Sequence, residues 1–297
     1  MTGMFEGRVA IVTGAGRGLG REHALLLASE GAAIVVNDLG GSSDGSGSDV
    51  SPAQSVVDEI VAAGGQAIAN ADDVSDWDGA GRLVQQAVDE FGRLDVLINN
   101  AGILRDRMLV NLSEDEWDVV MRVNAKGHVA PLRHAAAYWR EQAKEHGKVS
   151  AAVVNTSSPS ALFANVGQSN YGAAKMAVAG LTMIAAKELE RYGVRVNTIA
   201  PAARTRMTVS PSTTPVDPDA FDRMNPGNVA PWVAYLCSDQ CTMTGKCFVV
   251  YAGSVVLVEP WKATASIQQD RRWTLDELVG RGPELDIEFQ SNNPFGY

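Results

Sequence analysis

The sequence predicts a doubly wound α/β fold, and three observations point to it. Short β-branched runs alternate with longer helical patterns along most of the 297 residues. The strand candidates are nearly continuous in apolar residues, as a sheet covered on both faces requires. A glycine-rich stretch follows the first strand candidate, where such folds make their first strand-to-helix turn. Repeated strand–helix order implies a parallel sheet with right-handed crossovers.

The elements follow in order. Residues 8–13 (RVAIVT) read as a buried strand, followed by a glycine turn and a helix over about 18–30. Residues 33–38 (AIVVND) form the second strand and 66–70 a weak third. Residues 95–99, 151–156, 194–199 and 247–252 supply the fourth to the seventh. Helical patterns occupy the intervals near 55–63, 76–91, 113–145, 169–192 and 228–238. Two segments break the rhythm. Residues 39–51 (LGGSSDGSGSDVS) read as a mobile surface loop. Residues 205–228 carry Pro211, Pro215, Pro218 and Pro226 and read as an irregular flap over a site. From residue 259 the rhythm stops. The expectation is one Rossmann-type domain over 1–258, with a parallel sheet of about seven strands. A C-terminal extension over 259–297 would pack on the core or on a neighbouring subunit.

Composition narrows the function. Net charge is −10, with 25 Lys plus Arg against 35 Asp plus Glu. That balance offers no basic footprint for nucleic acid or an anionic membrane. No apolar run is long enough to span a bilayer, and the first thirty residues lack a signal peptide's apolar core. A cytoplasmic protein is expected. Cys237, Cys241 and Cys247 are no disulfide framework, and no His stands at ligand spacing from them, so no metal site is expected.

The 29 glycines exceed the usual share of roughly 7%. Gly14, Gly18 and Gly20 lie in Thr13-Gly-Ala-Gly-Arg17-Gly-Leu19-Gly, between a strand and a helix. Glycine lets the backbone approach a ligand, and the helix N-terminus offers free N–H groups to a pyrophosphate. A tight turn with no ligand is the plainer alternative. Asp38 ends the second strand, where a carboxylate accepts the ribose hydroxyls of an adenosine. A 2′-phosphate there meets a like charge, which favours NAD over NADP. Arg17 argues the other way, and Asp38 taken alone is also an ordinary turn acid. Asn99, Asn100, Ala101 and Gly102 follow the fourth strand and fit a crevice at the sheet's carboxyl edge.

Tyr171 and Lys175 stand four apart on a helical pattern, so phenol and ammonium share a face. A free Tyr has a pKa of about 10, too high for a base at neutral pH. A nearby cation favours the phenolate and makes Tyr171 a proton donor and acceptor.

With these residues the chain resembles the short-chain dehydrogenase/reductase family over about residues 5–258. The matching pieces are TGAGRGLG at 13–20, NNAG at 99–102, VNAKG at 123–127, NTSS at 155–158 and YGAAK at 171–175. The resemblance implies a catalytic tetrad of Asn124, Ser158, Tyr171 and Lys175, with Ser157 the neighbour that a slipped register would substitute. In it Ser158 and Tyr171 bond the substrate oxygen. Lys175 binds the nicotinamide ribose and lowers the Tyr pKa, and Asn124 holds a water through a backbone carbonyl. Asp73, before Val74, matches the family's adenine-contacting acid, and Ile199 and Pro201 match the segment that holds the nicotinamide carboxamide.

The resemblance narrows to the (3R)-hydroxyacyl-CoA dehydrogenase branch found in peroxisomal multifunctional enzymes of type 2. It is carried by VVNDLGG at 35–41, NNAGILRDR at 99–107, GQSNYGAAK at 167–175, NTIAP at 197–201 and RMT at 206–208. It implies NAD-dependent oxidation of a 3-hydroxyacyl-CoA, with a bulky or steroidal chain allowed. Arg105, Arg107, Arg204 and Arg206 are candidates for a phosphate-binding patch, with a solvated charged face as the alternative. Ala202 departs from the family's glycine after the proline, and the extension departs from the branch entirely. The alternatives are a hydroxysteroid dehydrogenase, an NADPH-dependent 3-oxoacyl-thioester reductase, and a non-catalytic dinucleotide-binding protein. The likeness also implies a homodimer or homotetramer packed through the helices near 113–145 and 169–192. Their small residues (Ala135, Ala136, Ala137, Ala173, Ala177) permit close approach.

Overall fold

β1 (Val9–Thr13) is buried throughout, and its side chains alternate between two cores. Ala10 and Val12 join one, Val9 and Ile11 the other, which is why the run is continuously apolar. The computed structural model describes residues 3–42, 44, 46–47, 49–205, 207, 220–259 and 261–287. β2 (Ala33–Asn37), β3 (Gln66–Asn70), β4 (Val96–Asn99), β5 (Ala151–Thr156), β6 (Val194–Ala202) and β7 (Cys247–Tyr251) join β1 in one sheet, each pairing in parallel with its neighbours. The sheet order is 3-2-1-4-5-6-7-8.

The eighth strand, β8 (Ser254–Val258), exceeds the expected seven. Its first four residues are exposed, so it has no buried face to mark it in the sequence. Only residues 252–253 separate it from β7, a connection short enough for a hairpin alone, with Ala252 at φ 51°. The chain divides into one compact unit through Leu257 and a second from Val258.

Helices cover both faces. α1 (Gly18–Ser29), α2 (Ser51–Ala62) and α8 (Ala230–Cys237) give Leu27, Ile60 and Val233 to the first core. α3 (Trp77–Phe91), α5 (Gly127–His146) and α7 (Ser169–Leu189) give Leu83, Trp139 and Leu189 to the second. α3 starts at an Asp76 cap on the Gly79 N–H and stops at Gly92, φ +80°. The shorter helices are α4 (Glu114–Val120) and α6 (Pro159–Phe163). In the second unit, α9 (Leu275–Arg281) opens with a Thr274/Glu277 capping box.

The single helix expected over 113–145 is instead α4, a π-helical segment (Met121–Lys126) and α5. The Asn124 side chain donates to the Val120 carbonyl at 3.1 Å, the acceptor its own backbone N–H would take in an α-helix. That side-chain bond favours the wider winding.

Of the loop at 39–51, Ser43, Gly45 and Ser48 lie outside the described residues, and Ser51 already belongs to α2. Most of the 205–228 flap, with Arg206, Pro211, Pro215 and Pro218, also lies outside them, as do Pro260 and 288–297. β1 and β4 are neighbours, yet the helices that follow them cover opposite faces. Their carboxyl ends therefore open a crevice at the point where strand order reverses.

Candidate active site

The crevice is built by stitching two turns together. Thr13 Oγ1 accepts the N–H of Asn100 at 2.9 Å and of Ala101 at 3.1 Å. Asn100 Nδ2 returns to the carbonyls of Thr13 and Gly14 at 3.0 and 3.1 Å. Gly14 has φ +61°, and a Cβ there would sit 2.8 Å from the Ala101 Cα. Gly18 has φ +55°. Gly20 lies beneath the turn, where a Cβ would meet the Gly14 carbonyl oxygen at 2.3 Å.

α1 begins at Arg17 with no capping side chain and no acid in its first turn. An uncapped helix N-terminus at the floor of a crevice suits an anionic pyrophosphate. Asp38, just past β2, accepts the Gly16 N–H at 2.8 Å and the Gly40 N–H at 2.7 Å. Asp73 accepts the Ser75 N–H and hydroxyl at 2.8 and 2.6 Å and pairs with Arg122 at 3.2 Å. One continuous cleft is lined by Gly14, Arg17, Gly18 and Leu19, by Asp38, by Asp73 and Val74, and by Asn100, Ala101 and Gly102. A glycine cradle, an uncapped helix end and a carboxylate along one cleft fit a dinucleotide.

Gly20, Ile199 and Pro201 do not line that cleft, and neither do Asn124, Ser158, Tyr171 or Lys175. Ile199 is fully buried, and its carbonyl accepts the Ser157 N–H at 2.7 Å. Pro201 pairs with Val250 in the sheet.

The four remaining residues gather at the Gly102 end. A Cβ on Gly102 would stand 2.6 Å from Asn124 Oδ1 and 3.5 Å from Lys175 Nζ. Asn124 is held by Ile103, whose N–H it accepts at 3.2 Å and whose carbonyl it donates to at 3.0 Å. Ser158 caps α6, its hydroxyl accepting the Ser160 N–H at 3.2 Å, and it stands close enough to the Tyr171 phenol to favour its ionised form. Ser157 turns away and donates to the Lys175 carbonyl at 2.8 Å. That leaves Ser158 as the hydroxyl beside the phenol. Lys175, 2% exposed, donates from Nζ to the Thr156 carbonyl at 2.8 Å and lies 5.8 Å from the Tyr171 ring centroid.

Burial dominates the electrostatics of the pair. It pushes the Tyr171 phenol up to about 12, with neighbouring Ser158 opposing this and Asp106 adding to it. It brings Lys175 down to about 7. The dry site thus penalises both charged forms. The arginine patch is corrected. Arg105 faces Asp44 at 3.6 Å, Arg107 holds Glu116 at 2.8 Å, and Arg204 pairs with Asp222. Three of the four cations are thus met by carboxylates, and Arg206 lies outside the described residues.

Thr13 and Asn170 lie inside the TGAGRGLG and GQSNYGAAK motifs, but the sequence assigned neither a role; their places within those motifs were the available signal. Among the described residues, no group of three or more His, Cys, Asp or Glu is placed to hold a metal. No helix among them is long and apolar enough to cross a membrane.

A profile of the short chain dehydrogenase family matches residues 8–215. Hydroxyacyl-CoA dehydrogenase ChsB1 of Mycobacterium tuberculosis is 46% identical over 298 residues, covering 94% of this chain and 91% of that protein. Peroxisomal multifunctional enzyme type 2 of Drosophila melanogaster is 44% identical over 250 residues, 84% of this chain; the match spans 40% of that longer protein. The crystal structure of a short chain dehydrogenase from Mycobacterium avium superposes with a TM-score of 0.85 at 50% identity, covering 95% of each chain. Agreement of this extent, over both cores and the cleft between them, makes the chain a member of the short-chain dehydrogenase family, oxidoreductases that act on CH–OH groups with a nicotinamide dinucleotide.

Proposed function

We propose that the chain is an NAD-dependent dehydrogenase that interconverts a 3-hydroxyacyl-CoA and its 3-oxo form. One observation carries the catalytic part: the buried Tyr171 ring has Lys175 Nζ 5.8 Å from its centroid and Ser158 beside its phenol, and the same ammonium reaches toward Gly102 of the cleft. Ser158 and Tyr171 hold the substrate oxygen, and Tyr171 takes the alcohol proton. Gly14, Gly18, Asp38 and Asn100 along the cleft would hold a dinucleotide, whose nicotinamide would supply the hydride acceptor. Lys175, brought down to about 7, exchanges a proton near neutral pH. Asn124 fixes the Ile103 backbone beside it. Asp38 supports NAD because its charge opposes a 2′-phosphate. The names of ChsB1 and the multifunctional enzyme support the acyl-CoA.

The test is NADH formation, read near ~340 nm, with short and long 3-hydroxyacyl-CoAs, steroid alcohols and simple alcohols. The CoA esters should be the best substrates. Tyr171→Phe should lower kcat by about 10²–10⁴-fold and leave NADH binding intact. Retained turnover rejects Tyr171 as proton carrier, and a preference for simple or steroid alcohols rejects the substrate class.

A further inference from the structure

We infer that Asn170 is a positioning residue whose buried amide clamps the first turn of α7 to two distant segments and so aims the Tyr171 phenol. The inference rests on the proposed role of Tyr171 as proton carrier.

Asn170 is fully buried. Its Oδ1 accepts the Tyr171 N–H at 2.7 Å. Its Nδ2 donates to the Arg105 carbonyl at 3.0 Å and the Glu116 carbonyl at 3.2 Å, 65 and 54 residues away in sequence. An amide has two N–H donors and one oxygen, and all three are engaged. Gln168, at the N-cap of α7, makes no side-chain capping bond to the helix. The Asn170 oxygen therefore satisfies a first-turn N–H that would otherwise lack a partner.

The clamped segments are those against which Tyr171 packs. Its ring belongs to a small core with Ile103, Val120 and Ala174. Ile103 lies two residues before Arg105, and Val120 is in α4 with Glu116. Neighbouring ties run from Arg107 N–H to the Gly167 carbonyl at 2.7 Å and from Gln168 Nε2 to Asp106 Oδ2 at 2.9 Å. They hold the approach to the helix, whereas the Asn170 tie holds the turn that carries the phenol. Without it two part-buried carbonyls lose a donor and the ring loses its lateral reference.

The experiment compares Asn170→Ser, Asn170→Asp, Tyr171→Phe and the double variant Asn170→Ser/Tyr171→Phe in the full chain. Asn170→Asp keeps an acceptor for the Tyr171 N–H but cannot make the two donations, which separates the local cap from the clamp. Both single Asn170 variants should lose about 10–100-fold in kcat, the scale of a small misplacement. NADH affinity by fluorescence should stay within about twofold, since uniform binding is untouched. The double variant should lose no more than Tyr171→Phe alone. Wild-type kcat in Asn170→Asp overturns the clamp, as does loss of NADH affinity in step with kcat or a further loss in the double variant. An active Tyr171→Phe instead overturns the proton-carrier role; an inactive Tyr171→Phe beside fully active Asn170 variants overturns the clamp alone.

Discussion

Asp38 already has one backbone N–H on each carboxylate oxygen, from Gly16 and Gly40. Each oxygen keeps a lone pair for a ribose hydroxyl. The residue thus shapes the glycine turn as well as offering a charge to the adenosine end. Asp38→Ala should lower the ratio of kcat/KM for NAD over NADP by about tenfold or more, since removing a like charge relieves a cost of that order. It should also weaken NAD itself, because the turn loses its tie. An unchanged ratio would take Asp38 out of cofactor choice. This residue was legible in the sequence because a strand end dictates its place. The Tyr171 phenol was not: its pKa depends on burial, which only the assembled core sets.

Among the elements, the first helix carries an acid liability. His23 on α1 is 1% exposed, and neither ring nitrogen has a partner. Burial brings its pKa down from 6.5 to about 3. Between those values the unfolded chain binds a proton that the folded chain does not. Stability is therefore complete above pH 6.5 and is lost as pH falls toward 3, by up to about 1.4 kcal/mol per pH unit. His128 on α5 is also fully buried, and desolvation holds its pKa well below 6.5, adding in the same direction. Urea midpoints should drop from pH 7 to pH 5, and His23→Leu should remove one of the two contributions. A variant with the wild-type pH slope would refute the assignment. The π-helical segment is a second lesson at this scale. Apolar periodicity placed a helix over 113–145, but it could not register one amide competing for one carbonyl.

At the scale of the molecule, we propose assembly as a dimer or tetramer through the α5/α7 face. Leu132, Ala136, Leu181 and Ala185 line a groove there with Arg133 and Arg140 at its edge. Val129 and Ile184 stand exposed, at 36% and 59%. Apolar surface rimmed by charge fits a protein contact. Light scattering on the eluted protein should give a multiple of the 31.5 kDa chain mass, and Ala136→Glu should reduce it toward the monomer. A wild-type monomer would remove the proposal.

Seven of the eight strands, their parallel pairing and the glycine turn were written in the sequence, because each follows from continuous apolar runs between helical periods and from glycine's lack of a Cβ. The residues of the cleft and the Tyr–Lys face were legible for the same local reason. β8 escaped because an exposed strand has no burial pattern. The pairing of three expected phosphate-binding arginines with Asp44, Glu116 and Asp222 was decided only in three dimensions. So were the neutral bias of Tyr171 and Lys175 and the Asn170 clamp across 54 and 65 residues. Charge pairing and desolvation depend on which distant groups the fold brings within a few ångströms, and no local pattern encodes that.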